Sequence, residues 1–409
     1  MYSMKRKVYI LTDSCSHNYV FFKEEIKILR EKYDVTIVGD DIAPVSLIEE
    51  RQICYNKDFS LINNIKYFVL FLINGESWIE IINIIRARKN LFKALLETIR
   101  FYINSEYYYR FLIMQNILSS ESDAIFYSYW YFWKCFAVTN HRKEFPNIRV
   151  ITRTHGYDLY RERLKSGWQP YKSAMDSKLD NVVFVSDYAK DYYFKTYDIK
   201  ESDKHKLYYL GVKGADDVKY IKRDKVIRIV SCSNVIELKR VDYIVRILSE
   251  IDDINIDWIH FGEGNKLCDV KSLAKNLLSN KPNINYNFAG YTDNSEIIDY
   301  YQNHSTDLFI HMSSSEGGNP LAIQEALSFG IPVLAAGVCN IPNMLEGKAF
   351  VVSENPTIDE CVKKIYEYNS MTEKEINMMR NEMRDIWLRR FNAEVNGLNF
   401  VREVVDNLL

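Results

Sequence analysis

Asp307-Leu-Phe-Ile-His-Met-Ser-Ser-Ser-Glu316-Gly-Gly-Asn-Pro320-Leu-Ala-Ile-Gln-Glu325-Ala-Leu-Ser-Phe-Gly330-Ile-Pro332-Val-Leu-Ala335 reads as strand, loop, helix and strand in turn. The short apolar run up to Met312 opens into a Ser/Gly loop. Pro320 then fits a helix's first turn, where its missing N–H costs nothing. Gly330 is a natural residue to close that helix, and Pro332 opens the next strand. The loop Gly317-Gly318-Asn319 therefore meets a helix N-terminus. Free N–H groups and the helix dipole favour an anion such as a diphosphate there, and glycines let backbone approach a ligand closely. Glu316 on the loop and Glu325 within the helix are acceptors when ionised, so they suit the vicinal hydroxyls of a sugar.

The same alternation extends in both directions. Apolar runs at Val8–Asp13, Val35–Val38, Ala124–Trp130, Arg149–Thr152, Val182–Ser186 and Leu207–Leu210 precede another six: Ile227–Ser231, Trp258–Phe261, Ile284–Phe288, Leu308–His311, Pro332–Ala335 and Phe350–Val352. Short, continuously apolar, β-branched runs between helical stretches predict parallel strands covered on both faces. The fold class is α/β, with two Rossmann-like, doubly wound domains. The polar stretch Gly211–Arg223 separates the two series. The expected division is residues 1–212, residues 224–380, and a helical segment 381–409 packing back toward the first domain. Doubly wound sheets bind ligands at the carboxyl ends of their strands, so two facing domains would make a cleft lined by strand ends.

Residues 55–120 depart from this pattern and read as helical and aromatic-rich. Arg86, Arg88, Lys89, Lys93 and Arg100 lie among Ile81, Ile82, Ile85, Leu91, Phe92, Leu95 and Leu96. The expectation is an ordinary helix with its apolar side on the first sheet; the alternative is a basic amphipathic helix on an anionic membrane surface.

Bulk properties narrow the function. The 409 residues are 47% hydrophobic and 26% charged, with a net charge of −2. That is an ordinary globular composition with no basic field for nucleic acid. Seven scattered cysteines form no Cys-x-x-Cys pair and no zinc spacing, which predicts reduced thiols in a cytoplasmic protein. Met1–Lys7 runs directly into a strand, so no signal peptide is expected. The longest apolar run, Tyr67–Ile73, falls far short of the ~20 residues that span a bilayer. A nicotinamide-binding reading lacks the Gly-x-Gly-x-x-Gly turn after a first strand.

With Ser313, Glu316-Gly317, Pro320, Glu325-Ala326, Gly330, Pro332 and Val333 in this order, the chain resembles the family 4 retaining glycosyltransferases of the GT-B fold, as found in bacterial polysaccharide and lipopolysaccharide assembly. Eight residues lie between Glu316 and Glu325 where that family has seven, and the extra one falls in the loop Gly317–Asn319. The resemblance implies that Glu316 holds the transferred hexose and Glu325 the ribose of the nucleotide. Gly317, Gly318, Asn319, Pro320 and Leu321 would meet the donor. In Ile229-Val-Ser-Cys-Ser-Asn234-Val-Ile-Glu-Leu-Lys239, Lys239 matches a diphosphate-neutralising lysine, while Asn234 stands where the family has arginine. Gly262 of His260-Phe-Gly-Glu-Gly264 and Tyr291 of Phe288-Ala-Gly-Tyr291 resemble loops that flank the nucleotide base.

In the first half, His155-Gly156-Tyr157-Asp158 resembles the family's His-Gly-x-Asp loop, which implies a place for His155 near the reacting centre. Arg153, Arg161 and Arg163 are candidates for an acceptor phosphate. The first loop, Thr12-Asp-Ser-Cys-Ser-His17-Asn18, lacks the glycines many members carry, and His17 is an acceptor-side candidate. The resemblance implies a metal-independent enzyme with no cofactor, a nucleotide-sugar donor (UDP-sugar favoured over GDP-sugar) and a glycan or lipid-linked glycan acceptor. It implies no nucleic-acid partner, and it allows peripheral contact with the inner membrane surface. A non-catalytic sugar-binding or scaffolding subunit of the same fold is the alternative.

Overall fold

The structure is a computed structural model describing residues 5–45, 48–57, 59–87, 90–215 and 225–408, without the side chains of residues 16–22. The chain divides into two compact units: residues 1–208 with 397–409, and residues 209–396. Of the expected seam, residues 216–223 lie outside the described residues.

The first unit is built from β1 (Lys7–Leu11), α1 (Cys15–Lys32), β2 (Asp34–Gly39), β3 (Arg51–Cys54), α2 (Leu61–Ile73), α3 (Gly75–Ala87), α4 (Leu91–Met114), β4 (Ala124–Ser128), α5 (Trp133–Asn140), β5 (Arg149–Thr154), α6 (Gly156–Leu159), α7 (Lys172–Asp176), β6 (Asn181–Phe184), α8 (Asp187–Tyr197) and β7 (His205–Leu207). Its seven strands lie in the order β3-β2-β1-β4-β5-β6-β7, all parallel. β3 is the strand absent from the sequence reading. Arg-Gln-Ile-Cys has one aliphatic residue, and an edge strand that is nowhere buried needs no more.

The second unit continues with β8 (Val226–Cys232), α9 (Val241–Ser249), β9 (Asn255–Phe261), α10 (Leu267–Leu278), β10 (Ile284–Gly290), α11 (Asn294–Asn303), β11 (Leu308–His311), α12 (Leu321–Ser328), β12 (Val333–Ala336), α13 (Ile341–Leu345), β13 (Phe350–Val352), α14 (Ile358–Ser370) and α15 (Glu373–Arg390). The strands are ordered β10-β9-β8-β11-β12-β13, again all parallel. α16 (Ala393–Phe400) carries the boundary between the units, so residues 397–408 pack with the first.

In each sheet the strand order reverses beside the first strand, at β1/β4 and at β8/β11. Such switch points leave a crevice at the strands' carboxyl ends, where ligands bind in open α/β sheets. β11 and β12 are buried at every position, as strands covered on both faces must be.

The basic stretch near residues 81–100 is two helices, α3 and α4, and its apolar residues divide. Ile84 and Ala94 are buried and Ile81 and Leu95 pack against the core, but Ile82, Ile85, Leu91, Phe92 and Leu96 are exposed. Arg88 and Lys89 lie outside the described residues. The expectation of an apolar side turned wholly inward is corrected here.

Candidate functional site

At the β8/β11 switch point the structure brings together Lys239, Glu316 and His311. β8 ends at Cys232, and its loop closes in a short turn, Glu237–Lys239. Arg240 follows in the left-handed region, φ 47°. Its guanidinium donates to the carbonyls of Met312 (2.6 Å) and Ser313 (3.1 Å), tying the β8 and β11 loops together. Ser314 N–H donates to Leu238 O at 2.9 Å.

The Lys239 ammonium donates to Glu316 Oε1 at 2.6 Å, and the same oxygen lies 2.7 Å from His311 Nε2. Burial pushes the Glu316 carboxyl up. His311 and Lys239 outweigh it and hold the group down at about 2, so it is ionised at neutral pH. The lysine side chain keeps 20% exposure against 9% for Glu316. An ammonium has three donors, so pairing with Glu316 leaves others for an incoming anion. Sequence reasoning passed over His311, although it sits at the end of β11 in the stretch that carries the motif.

Gly317, Asn319, Pro320 and Leu321 are half-buried and Gly318 is buried in the turn before α12. Pro320 is the residue before the helix, and its side chain makes no capping bond. Around the turn, Asn340 Nδ2 donates to Asn319 Oδ1 at 2.5 Å and Gln324 Nε2 to Asn319 O at 3.1 Å. The helix ends as the sequence implies. Gly330 has φ 65°; its N–H donates to Leu327 O and that of Ile331 to Ala326 O, each at 2.9 Å, which satisfies the last carbonyls.

Glu325 faces a different environment. It is buried, and its Oε1 accepts from Asn294 Nδ2 at 2.7 Å. Burial raises its carboxyl to about 7, with the Asn294 bond a smaller opposing effect. Glu325 and Lys239 both act on the Cys232 thiol, which burial raises to about 12.

Gly262 is required by close approach. Its φ is 137°, and a Cβ there would stand 2.0 Å from the Ser233 carbonyl oxygen. Its N–H donates to Gly290 O at 2.8 Å, joining the β9 and β10 loops. His260, buried beneath them, is lowered to about 4 by burial, so it is neutral at physiological pH. Asn234 and Tyr291 are exposed, and Tyr291 OH donates to Asp293 Oδ1 at 3.0 Å.

In the first unit, His155 follows β5 and stands at the N-cap of α6. Its N–H donates to Asp158 Oδ1 at 2.6 Å, and Tyr131 N–H donates to Asp158 Oδ2 at 2.7 Å. The buried Asp158 therefore fixes two loops by backbone contacts. The imidazole lies against Tyr129 and Trp130, at ring-centre distances of 4.7 and 4.5 Å. Its Nε2 is buried with no hydrogen-bond partner among the described residues. A buried ring nitrogen without a partner is uncommon and costly.

Arg161 and Arg163 are half-buried. The Arg161 guanidinium stands over Trp168 (4.3 Å) and Tyr197 (4.9 Å). Arg153 corrects the sequence expectation: it is fully buried, ion-paired with Glu25 and stacked on Phe400 at 4.6 Å, with no surface for an acceptor. The backbone of His17 falls in α1, and its side chain lies outside the described residues.

The glycine-free first loop is closed by Lys134, which sequence reasoning missed. This buried ammonium donates to Thr12 O and to Asp40 Oδ1, both at 2.5 Å, with Asp13 Oδ1 at 3.4 Å. Ser14 Oγ and Cys15 N–H both donate to Asp41. Room for the helix start comes from Gly39 on the next strand, where a Cβ would meet Cys15 Sγ at 2.6 Å. The adjacent Asp40 and Asp41 after β2 were the available signal.

Comparison with known proteins bears on these features. Residues 212–385 match the family model described as glycosyl transferases group 1. No protein of curated function matches the sequence. Among solved structures, the chain is similar to a glycosyltransferase from Rickettsia africae ESF-5 (TM-score 0.68, 16% identity, covering 99% of this chain and 98% of that one). It is also similar to the lipopolysaccharide outer core galactosyltransferase WaaB (TM-score 0.66, 13% identity, 98% and 99% covered). A third is Anabaena HepE in complex with UDP and glucose (TM-score 0.66, 11% identity, 98% and 99% covered). The chain as a whole therefore has the GT-B fold of these glycosyltransferases, and its second unit carries the segment that matches glycosyl transferases group 1.

Proposed function

We propose that the protein is a retaining, metal-independent glycosyltransferase of the family 4 kind, moving a hexose from a nucleoside-diphosphate sugar to a glycan or lipid-linked glycan at the cytoplasmic face of a bacterial membrane. The observation that carries it is the half-open Lys239–Glu316 pair at the β8/β11 switch point, beside the α12 N-terminus. A UDP-sugar is the favoured donor, in keeping with the UDP held by HepE. In the reaction the bond from the anomeric carbon to the diphosphate oxygen breaks, and a bond to the acceptor hydroxyl oxygen forms on the same face. The acceptor proton passes to the leaving phosphate. Lys239 and the N–H groups at the start of α12 stabilise the charge developing on that phosphate. Ionised Glu316 orients the hexose hydroxyls and Glu325 the ribose. On the acceptor side the reading assigns His155 to the reacting sugar and Arg161 and Arg163 to an acceptor phosphate.

The test is nucleotide-sugar hydrolysis and transfer by purified protein across UDP-, GDP- and ADP-sugars with EDTA present. The expected result is release of one nucleoside diphosphate, lost in Glu316→Ala and Lys239→Ala, with the product's anomeric configuration retained by NMR. No release from any donor, and no thermal stabilisation by any nucleotide, would overturn the proposal and leave a non-catalytic subunit.

A further inference from the structure

Among the described residues, 15 of the 25 exposed large hydrophobic side chains fall between Phe59 and Leu96. They form stripes. On α2 they are Leu61, Ile62, Ile65, Phe68, Val69 and Leu72; on α3 they are Trp78, Ile79, Ile82 and Ile85. Each recurs at helical spacing along one face. The opposite faces are committed. Tyr67 packs edge-on against Tyr107, and Phe71 against Tyr102, both on α4, at 4.8 and 5.6 Å. Ser77 Oγ lies 2.9 Å from Tyr171 OH. The buried Glu80 accepts from Trp168 Nε1 at 2.8 Å and Tyr171 N–H at 2.9 Å. The outward stripes are therefore not core side chains awaiting a neighbour within the unit. A soluble monomer seldom leaves so much contiguous apolar surface uncovered.

The charges select the partner. On these helices the exposed ionic side chains as far as Arg100 are Lys66, Arg86, Lys93 and Arg100, all cations. The acids are withdrawn: Glu76 is half-buried and faces Lys178 at 3.3 Å, Glu97 is half-buried, and Glu80 is buried. An apolar face bordered by cations alone complements an anionic lipid surface, with alkyl and aromatic groups at the acyl boundary and ammonium groups at the phosphates. Trp78, half-exposed, with its indole N–H on Leu72 O at 2.8 Å, is a residue type that favours that boundary. A second copy of the chain is a poorer fit, because a two-fold contact sets each patch against itself and its cations against cations.

We infer that α2, α3 and the start of α4 form a docking surface that lies in the interface of an anionic bilayer without crossing it. The pair α2 and α3 together is apolar enough for a span, but a 74° bend breaks it, and no single helix among the described residues is long and apolar enough to cross a membrane. The inner faces held by α4 keep both helices in place. The choice of a membrane over another anionic partner rests on the lipid-linked acceptor of the proposed function; the surface itself does not.

The experiment is co-sedimentation of the full chain with phosphatidylcholine vesicles and with vesicles rich in phosphatidylglycerol, across ionic strength. The wild-type protein should bind the anionic vesicles, with a partition coefficient falling at least about tenfold on neutral ones or at high salt. Ile65→Gln/Val69→Gln/Ile79→Gln/Ile82→Gln should lose about tenfold or more in binding. Lys66→Glu/Arg86→Glu should lose as much and with it the salt dependence. Both variants change exposed side chains outside the donor site, so their thermal midpoints and nucleotide-sugar hydrolysis should match wild type. Vesicle binding absent at low salt, or unchanged in the apolar variant, overturns the inference. So does a concentration-dependent dimer that the apolar variant disperses. Vesicle binding by a protein that releases no nucleotide would sink the proposed transferase and leave the docking surface standing.

Discussion

The two units each set a cation against a glutamate at the end of a central parallel strand, and the two pairs could hardly be less alike. In the first, Arg153 on β5 meets Glu25 on α1; the arginine has no exposure, and Tyr127 OH adds a hydrogen bond to the same glutamate at 3.2 Å. In the second, Lys239 reaches Glu316 from a loop and keeps a fifth of its surface open. Both read alike in sequence as basic residues near strand ends. Solvent access separates them: a pair sealed among aromatics is part of the core, whereas a pair at a switch point, beside a helix N-terminus, can exchange a partner for a ligand. Burying two charges is repaid only by their mutual contact, so the first pair is fixed and the second is available.

The strongest way to break this comparison is to remove the two cations in turn. Lys239→Ala should lower turnover by about 100-fold or more, the scale of losing one preorganised charge contact to a leaving group. Its stability should change little, because His311 still pairs Glu316. Steady-state kinetics beside a urea melt checks this, and near-normal turnover would end the assignment. Arg153→Met should do the reverse. Stranding Glu25 in the core should cost about 3 kcal/mol of folding stability, visible in the same melt, with nucleotide binding by the second unit retained where the protein is folded.

Much of this was legible because the signals were local. Gly330, Pro320 and the apolar run to His311 dictate a strand, turn and helix whatever else the chain contains, and the structure follows them to the residue in the Gly330 cap. Other features depend on which surface a side chain meets, and no spacing encodes that. Arg153 and Arg161 look equivalent in sequence, yet the first lies within the buried strand β5, on Phe400, and the second in a turn after α6, on Trp168 and Tyr197. Lys134 follows Trp133 with nothing to mark it, and only the fold places it under the first loop. The apolar faces of α2 and α3 carry the period of a buried helix, and the period does not say that the opposite face is the one that packs.

A gentler contrast lies within the second unit, between Glu316 held near 2 and Glu325 raised to about 7. The signs are opposite. Glu316 is depressed from 4.5, so its contribution to stability is present above that value and is lost as pH falls toward 2. Glu325 is raised from 4.5, so its contribution is full below that value and is lost as pH rises through about 7. Glu325→Gln, which cannot ionise, should therefore be more stable than wild type at pH about 8 by 1–3 kcal/mol and equal to it at pH about 4. If ribose hydroxyls need the ionised form, wild-type donor affinity should rise several-fold through neutrality and the variant's should stay flat, read by nucleotide titration across pH. A flat wild-type profile would separate Glu325 from the donor.

The smallest effect tests the one site residue that departs from the resemblance. Asn234 is exposed on the β8 loop, on the same short segment as Lys239. An amide donates a hydrogen bond without charge, whereas a guanidinium would bring a permanent positive charge and a two-pronged donor for phosphate. The fold has space for it, since the position is open to solvent and the neighbouring Val235 N–H, bonded to Glu263 O at 2.9 Å, holds the loop's course. Asn234→Arg should tighten nucleoside diphosphate binding by about twofold to fivefold, the worth of an exposed charge contact. The gain should fall with salt. If Lys239 and the α12 N-terminus have taken over the whole task, binding tightens while turnover stays level or drops, because product release slows. If the missing charge limits the chemistry, turnover rises with affinity. No change in either quantity would mean that the β8 loop points its side chain away from the diphosphate, and the available pair would then be Lys239 and Glu316 alone.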